Sequence, residues 1–160
     1  MTDFEAFVSA RGQALLRFAY TLCRDGDLAQ DLVQDALVKA HGKWSRVEAP
    51  DAYLRKAIVN DFCSWKRRRA SRDVLMSSPP DGEVQPLRLE DRAAMWPLLA
   101  ELPRRQRAVL VLRYYEDLDD DAIARILGCG AGTVRSHASK ALAALRAADA
   151  TTRFVEGSAR

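Results

Sequence analysis

The helix predicted after Gly130 carries polar and basic side chains at a spacing that suits contact with duplex DNA. Apolar residues such as Val134 and Ala138 recur at three- and four-residue steps and form an inward stripe. The remaining side chains can reach base edges and phosphates in a major groove. They are Thr133, Arg135, Ser136, Ser139 and Lys140. We interpret these five residues, the recognition face, as candidate DNA contacts.

A helix-turn-helix outline is what would position the recognition face. A short helix that Asp119 or Asp120 can cap is followed by the turn Gly128-Cys129-Gly130 and by a helix from about Ala131 to Arg146. The small side chain of Ala124 lets the two helices cross closely. An ordinary helical hairpin with a solvated face is the alternative.

A second candidate site combines the third predicted helix, its basic end and the preceding loop. Aromatic and basic side chains can hold single-stranded nucleic acid by stacking and charge, and an amide can pair with a base. The candidates are Lys43, Trp44, Arg46, Lys56, Asn60, Arg67 and Arg68. Trp44 fits equally well as a core residue at the end of a loop.

A third candidate surface lies on a helix predicted from about Leu28 to Ala40, which Asp27 and Gln30 would open as a capping box. A polar stripe with an apolar fringe runs along this helix. Its members are Asp31, Gln34, Asp35 and Val38, with Leu32 beside them. A solvated face usually explains such a pattern, and a protein-binding face becomes attractive only if the two DNA sites are accepted.

Helical periodicity extends over almost the whole chain, and strand signals are nearly absent. Residues 77–82, which read Ser-Ser-Pro-Pro-Asp-Gly, cannot continue a helix, so we expect a flexible linker there. The predicted fold class is all-α, with two small helical domains joined by that linker. The predicted bounds are 1–71 and 93–148 for the domains, 72–92 for the linker and 149–160 for a frayed tail.

Composition limits the function classes that remain. The net charge of +3 is small, but Lys66–Arg69 form a basic block that suits a polyanion. Cys23, Cys63 and Cys129 have no paired spacing, which argues against a disulfide framework or a zinc site and favours buried reduced thiols. Neither a signal peptide nor a long apolar stretch is apparent, so we expect a cytoplasmic protein. The absence of a phosphate loop and of a nucleophile–base arrangement argues against an enzyme, and we expect neither a metal nor a cofactor.

These segments resemble the group 4, or extracytoplasmic function (ECF), sigma factors of bacterial RNA polymerase. The first two of the following segments resemble region 2 of that family, and the others resemble region 4. They are Asp31–Asp35, Tyr53–Asn60, Leu102–Leu110, Ala122–Gly128 and Gly132–Ser136. The run Leu110–Leu118 is especially like an actinobacterial branch of the family.

The resemblance implies that the chain directs promoter recognition, −10 melting and transcription initiation. The stripe of Asp31, Gln34 and Asp35 matches the family's surface for the β′ clamp helices of core RNA polymerase, whose β flap is a further expected contact. The loop His41–Val47 matches the one that captures a flipped −10 base, and Asn60 with the basic residues after it matches the region that handles −10 DNA. The recognition face matches the −35 reader. Promoter DNA and an anti-sigma factor are the other partners that the family implies.

The sequence departs from the family pattern at several positions. Asp61 places a negative charge next to the expected DNA surface, and Asp119–Asp121 does so next to the helix-turn-helix motif. Gly130 replaces a common Ser cap, and Pro97 interrupts the helix that leads into region 4. Two other classes stay open: a stand-alone regulator that binds palindromic DNA, and a sigma-like decoy without DNA activity.

Overall fold

The computed structural model describes residues 1–64 and 98–158, with side chains up to residue 148. The chain forms two compact units, Met1–Pro86 and Leu87–Arg160. All regular secondary structure in the described ranges is helical, which confirms the predicted all-α class. The candidates Arg67 and Arg68, the predicted linker 72–92 and Pro97 lie outside the described residues.

Three helices and a short 3₁₀ helix make up the described part of the first unit. They are α1 (Asp3–Cys23), α2 (Gly26–His41), the 3₁₀ helix Trp44–Arg46 and α3 (Pro50–Cys63). Each of α1, α2 and α3 packs against the other two. Their inward faces include Phe18, Leu32, Leu54, Ile58 and Phe62, each at most 2% exposed. Burial of these side chains holds the three helices together.

The corner between α1 and α2 differs from the prediction. Arg24 adopts a left-handed conformation with a φ of 58° and ends α1. Asp25 then caps α2, because its Oδ1 accepts hydrogen bonds from the backbone N–H groups of Asp27 (3.0 Å) and Leu28 (3.1 Å). The capping box predicted from Asp27 and Gln30 is therefore wrong, and α2 begins at Gly26.

The second unit contains α4 (Arg104–Leu110), a π-helical turn (Val111–Tyr115), α5 (Asp120–Leu127) and α6 (Ala131–Ser158). Hydrogen bonding thus changes from α-helical to π-helical after Leu110. The predicted end of α6 near Arg146 is wrong, and so is the frayed tail after Ala148, because α6 continues to Ser158.

Packing of α4 and α5 against α6 forms the core of the second unit. Leu110 lies in one cluster with Leu99, Leu102, Ala141 and Leu145. Two of these residues, Ala141 and Leu145, belong to the inward stripe of α6. Burial of that stripe fixes which face of α6 points outward.

Disulfides, metal clusters and membrane-spanning helices are features that would point to other protein classes. Cys23, Cys63 and Cys129 form no disulfide within the described residues, and they are half-buried, whereas the sequence predicted buried thiols. Residues 1–64 and 98–158 include no cluster of three or more His, Cys, Asp or Glu residues that could hold a metal ion. In the same ranges no helix combines the length and the apolar character that a membrane span requires.

Candidate nucleic-acid and partner interfaces

The helix-turn-helix of the second unit is built by two local devices. The carboxylate of Asp119 accepts a hydrogen bond from the backbone N–H of Ala122 at 2.8 Å and so caps α5. Gly128 ends α5 in a left-handed conformation with a φ of 68°, and its N–H bonds to the carbonyl of Ala124. A side chain at this position would be strained, which explains the glycine. Cys129 and Gly130 then lead directly into α6.

The recognition face points to solvent as the periodicity predicts. On the inward side of α6, Val134 and Ala138 are at most 1% exposed. The five candidates are all exposed: Thr133, Arg135, Ser136, Ser139 and Lys140. They form a continuous polar surface on the N-terminal half of α6, where a recognition helix contacts base edges.

A groove of about 310 Å³ adjoins this face, and Arg113, Arg135, Ser139 and Arg146 are among its lining residues. Asp120 also lines the groove and forms an ion pair with Arg113, each side chain being 25% exposed. The hydrogen bond from Arg113 to Asp120 raises the pKa of the guanidinium, which stays charged. Three guanidinium groups therefore share a groove with one carboxylate, and that charge balance suits an anion such as a phosphate.

The acidic triplet 119–121 is divided among different roles. Asp119 caps α5, and Asp120 is paired with Arg113. Asp121 is exposed in the first turn of α5. Within the described residues, Asp120 is therefore the one member of the triplet that forms an ion pair.

His137, on the flank of α6, adds little positive charge to this surface. Burial lowers its pKa below the ordinary value of 6.5, and the nearby charges of Arg105 and Lys140 lower it further. The imidazole is therefore mostly neutral at pH 7. Arg135 and Lys140 carry the positive charge of the recognition face.

The second candidate site is partly assembled in the first unit. Lys56 and Asn60 are exposed on α3, opposite the buried residues Leu54 and Ile58. Lys43 and Arg46 are exposed in the loop before α3. Arg67 and Arg68 lie outside the described residues.

Trp44 is half-buried, unlike the basic residues of its loop. Its ring centroid lies 5.2 Å from that of Phe4, edge-on at 84°, and 5.2 Å from that of Phe7. Both phenylalanines belong to the start of α1. Of the two interpretations that the sequence leaves open, these contacts favour packing at the end of the loop over a free stacking platform.

Asp61 is paired within the first unit. Both of its carboxylate oxygens lie 3.3 Å from the Nζ of Lys39 on α2. Its side chain is 20% exposed, against 54% for Lys39. The negative charge that departs from the family pattern is therefore largely compensated by a neighbouring cation.

The candidate surface on α2 is mostly as predicted. Asp31 and Gln34 are exposed, Asp35 is half-buried and Val38 is 73% exposed. Leu32, however, is 0% exposed and lies in the core between α2 and its neighbours. Its inclusion in a binding surface is wrong, because a helix turns about 100° per residue and carries Leu32 away from the stripe of Asp31 and Asp35.

Two features of the sites were missed at the sequence level. Arg113 lines the groove beside the recognition face, although it lies before α5 in the chain. Lys43 lies over the ring of Tyr53 at 5.4 Å, which ties the Trp44 loop to α3. For Arg113, the one signal in the sequence was the acidic Asp120 seven residues later, which could form an ion pair with it.

Comparison with protein families places both units in one group. Residues 7–72 match the family model described as Sigma-70 region 2, and residues 92–145 match the model described as Sigma-70, region 4. These two ranges contain every residue of the three candidate surfaces, and they occur in the order that the sequence predicts.

Curated proteins and solved structures agree with these matches. The chain is 40% identical to an RNA polymerase sigma-E factor of Streptomyces avermitilis over 149 residues, which cover 90% of this chain and 83% of the relative. It is 27% identical to the RNA polymerase sigma factor SigV of Bacillus subtilis, over 84% of this chain and 83% of the relative. A solved structure of the sigma factor RpoE in complex with the anti-sigma factor NepR, from Bartonella quintana, superposes with a TM-score of 0.71 at 30% identity. That match covers 91% of this chain and 96% of the other.

Proposed function

Because the chain belongs to the extracytoplasmic function group of RNA polymerase sigma factors, we propose that its two units bind the −10 and −35 elements of one promoter while α2 binds core RNA polymerase. Proteins of this group direct promoter recognition and transcription initiation, and they catalyse no reaction themselves. The residue assignments that follow are proposals about how this chain does so.

The recognition face of α6 is the observation that carries the proposal. Burial of Val134, Ala138 and Ala141 leaves one outward surface, and all its polar residues are donors or acceptors of the kind that read base edges. We assign Arg135 and Lys140 to base edges or phosphates of the −35 duplex. Thr133, Ser136 and Ser139 supply hydroxyl groups beside them.

The first unit is proposed to hold the −10 strand once it has unpaired. Lys43 and Arg46 in the loop and Lys56 on α3 are exposed cations, and Asn60 offers an amide to a base. The basic residues Arg67 and Arg68 follow in the sequence. Binding to the single strand but not to the duplex favours melting by mass action.

The α2 surface of Asp31, Gln34, Asp35 and Val38 is proposed to contact the β′ clamp helices of core polymerase. An exposed apolar side chain such as Val38 on a helix face with polar residues is typical of a protein interface. The second unit would contact the β flap, as the family resemblance implies. Core polymerase is a cytoplasmic machine in bacteria, so we propose that the chain acts in the cytoplasm.

A protein inhibitor is a further proposed partner. The Bartonella quintana relative was solved in complex with an anti-sigma factor. By analogy we propose that a partner of this type binds the chain and withholds it from polymerase. The structural match to that relative, which covers 91% of this chain, is the support for this step.

A mobility-shift experiment with and without core polymerase tests the proposal. We expect the chain alone to bind a promoter fragment weakly and the complex with core polymerase to bind it tightly and selectively. Arg135→Ala should remove most of the selectivity for the −35 sequence, because it deletes a base-reading guanidinium. The control Arg17→Ala removes the same charge from an exposed site on α1, outside the proposed interfaces.

The same experiment separates the stand-alone regulator from the sigma factor. A regulator would bind palindromic duplex DNA tightly without polymerase. Tight binding to a palindrome that added core polymerase does not change would overturn the proposed assignment of these surfaces to the −10 element, the −35 element and core polymerase. Equal losses of selectivity in the Arg135 and Arg17 variants would remove the assignment of the recognition face.

A further inference from the structure

The start of α1 contacts the Trp44 loop through three aromatic side chains and one imidazole. The ring centroid of Phe4 lies 4.7 Å from that of His41 and 5.2 Å from that of Trp44, and the ring centroid of Phe7 lies 5.2 Å from that of Trp44. His41 ends α2, and Trp44 begins the 3₁₀ helix. The aromatic clasp, which consists of Phe4, Phe7, His41 and Trp44, thus joins both ends of the turn after α2 to α1.

The first turn of α1 is itself well anchored. The backbone N–H of Glu5 donates to the hydroxyl of Thr2 at 3.1 Å, and the carboxylate of Glu5 accepts from the N–H of Thr2 at 3.3 Å. This reciprocal capping box satisfies donors that would otherwise leave a helix start prone to fraying. Phe4 is therefore presented from an ordered turn.

The loop has few other restraints of its own. The 3₁₀ helix Trp44–Arg46 lacks a side-chain cap, and its local backbone bonds join only residues within three or four positions. A separate contact joins the loop to α3, where Lys43 lies over the ring of Tyr53. The clasp and this cation–π contact hold the loop from two sides.

We infer that Phe4 and Phe7 are positioning residues for the −10 interaction, which they support by fixing Trp44 and so the direction of Lys43 and Arg46. In this arrangement Trp44 is an anchor, and the exposed loop residues make the contacts to the unpaired strand. The inference rests on the proposed role of the loop. It adds that the first two turns of α1, outside every proposed DNA-contacting element, set the affinity for the single strand.

The physical basis is the population of the loop conformation that binds. An unrestrained loop visits that conformation for only a fraction of the time, and its apparent affinity falls by that fraction. If removal of the clasp reduces the fraction to about a tenth, binding of the unpaired strand weakens about tenfold. Binding of duplex −35 DNA and of core polymerase does not pass through this loop and stays unchanged.

The experiment uses the full chain assembled with core RNA polymerase purified from a Streptomyces species. The probe is a fork-shaped DNA with a duplex −35 element and a single-stranded −10 element, from a promoter selected by this protein. Equilibrium affinity for the fork is compared with affinity for the duplex part alone and for core polymerase. The variants are Phe4→Ala, Phe7→Ala and their combination.

Two controls separate positioning from general loss of stability. Leu15→Ala removes a core side chain of α1 that is 4% exposed and lies outside the clasp, so it destabilises the unit without releasing the loop. Phe4→Tyr keeps the ring and should restore fork binding. Thermal unfolding of each variant shows how far its stability has changed.

We expect the combined variant to bind the fork about tenfold more weakly, as the loop population predicts, with unchanged duplex and polymerase affinities. Wild-type fork affinity in that variant overturns the inference, and so does an equal loss in Leu15→Ala. If Lys43→Ala and Arg46→Ala also leave fork binding unchanged, the proposed role of the loop itself is wrong. A loss in those two variants with none in the clasp variants refutes the positioning role alone.

Discussion

Replacing Asp120 by Asn tests whether the ion pair with Arg113 holds a cation back from DNA. Arg113 lines the same groove as Arg135 and Ser139 of the recognition face, and Asp120 is its ion-pair partner. The substitution keeps the shape of the side chain and removes its charge. Arg113 is then available to a backbone phosphate at the edge of the −35 duplex.

The expected magnitude follows from counterion release. One additional phosphate contact steepens the dependence of log K on log salt concentration by about 0.9. Between about 50 and 200 mM salt, this contact adds a factor of about three to four to the loss of affinity. At low salt the variant should bind more tightly than the wild type. Because both partners are partly exposed, losing the pair should cost only about 0.2–1 kcal/mol of stability.

The assay is fluorescence anisotropy of the protein with core polymerase on duplex −35 DNA, measured over a series of salt concentrations. Asp121→Asn is the matched control, since it removes the same charge one residue later from an exposed position in the same helical turn. Both substitutions change the general charge and the interaction with the helix dipole alike. Identical salt slopes in the two variants, or weaker binding by Asp120→Asn, would refute the reasoning.

Three further predictions concern the α2 surface, its buried neighbour and the histidine of α6. The double variant Asp31→Ala, Gln34→Ala should weaken binding to core polymerase by about tenfold or more, the equivalent of about 1.4 kcal/mol. The control Asp27→Ala, in the exposed first turn of α2, should leave this binding unchanged. Equal pull-down yields for the wild type, the double variant and the control would count against the interface. Leu32→Ala should lower the free energy of unfolding by about 2–5 kcal/mol in chemical denaturation, because it leaves a cavity in the core. Normal stability with a selective loss of polymerase binding would instead place Leu32 in the binding surface. Because the folded-state pKa of His137 lies below its unfolded value, its contribution to stability is present above about pH 6.5 and is lost as the pH falls through the folded-state pKa. Thermal unfolding should therefore show a smaller decrease in midpoint between pH 7.5 and pH 5 for His137→Gln than for the wild type, and parallel curves would contradict this.

Periodicity was sufficient to predict the outward surfaces of the long helices. The inward stripe of α6, with Val134, Ala138, Ala141 and Leu145, has no competing face of similar apolar content, so the opposite side had to be exposed. The same argument would have excluded Leu32 from the α2 surface. Leu32 lies next to Asp31 in sequence, but neighbours in sequence do not share a helix face.

Other features depended on backbone geometry that residue types do not determine. Asp25 and Asp27 are both good capping residues, and the choice between them was made by Arg24, whose left-handed conformation ends α1 directly before Asp25. The pairing of Arg113 with Asp120 depends on the π-helical turn and on the bend before α5. The residue types of these segments specify neither the π-helical turn nor the bend.

The aromatic clasp shows the same limit over a longer distance. The sequence alone leaves Trp44 an even choice between a core residue and a stacking platform, and its partners Phe4 and Phe7 lie far from it in the chain. Only the packing of α1 against α2 brings these rings together. A contact between residues about forty positions apart is a property of the tertiary fold, and local patterns do not contain it.

Run-off transcription with core RNA polymerase on a randomised promoter library tests the central claim most directly. We predict transcripts that begin at defined start sites only when the chain is present, from templates that share one sequence element near −10 and another near −35. Loss of the −35 preference in Arg135→Ala with the −10 preference retained would show that the two units read separate elements. No chain-dependent transcript from any template, or transcripts without a second shared element, would contradict the account.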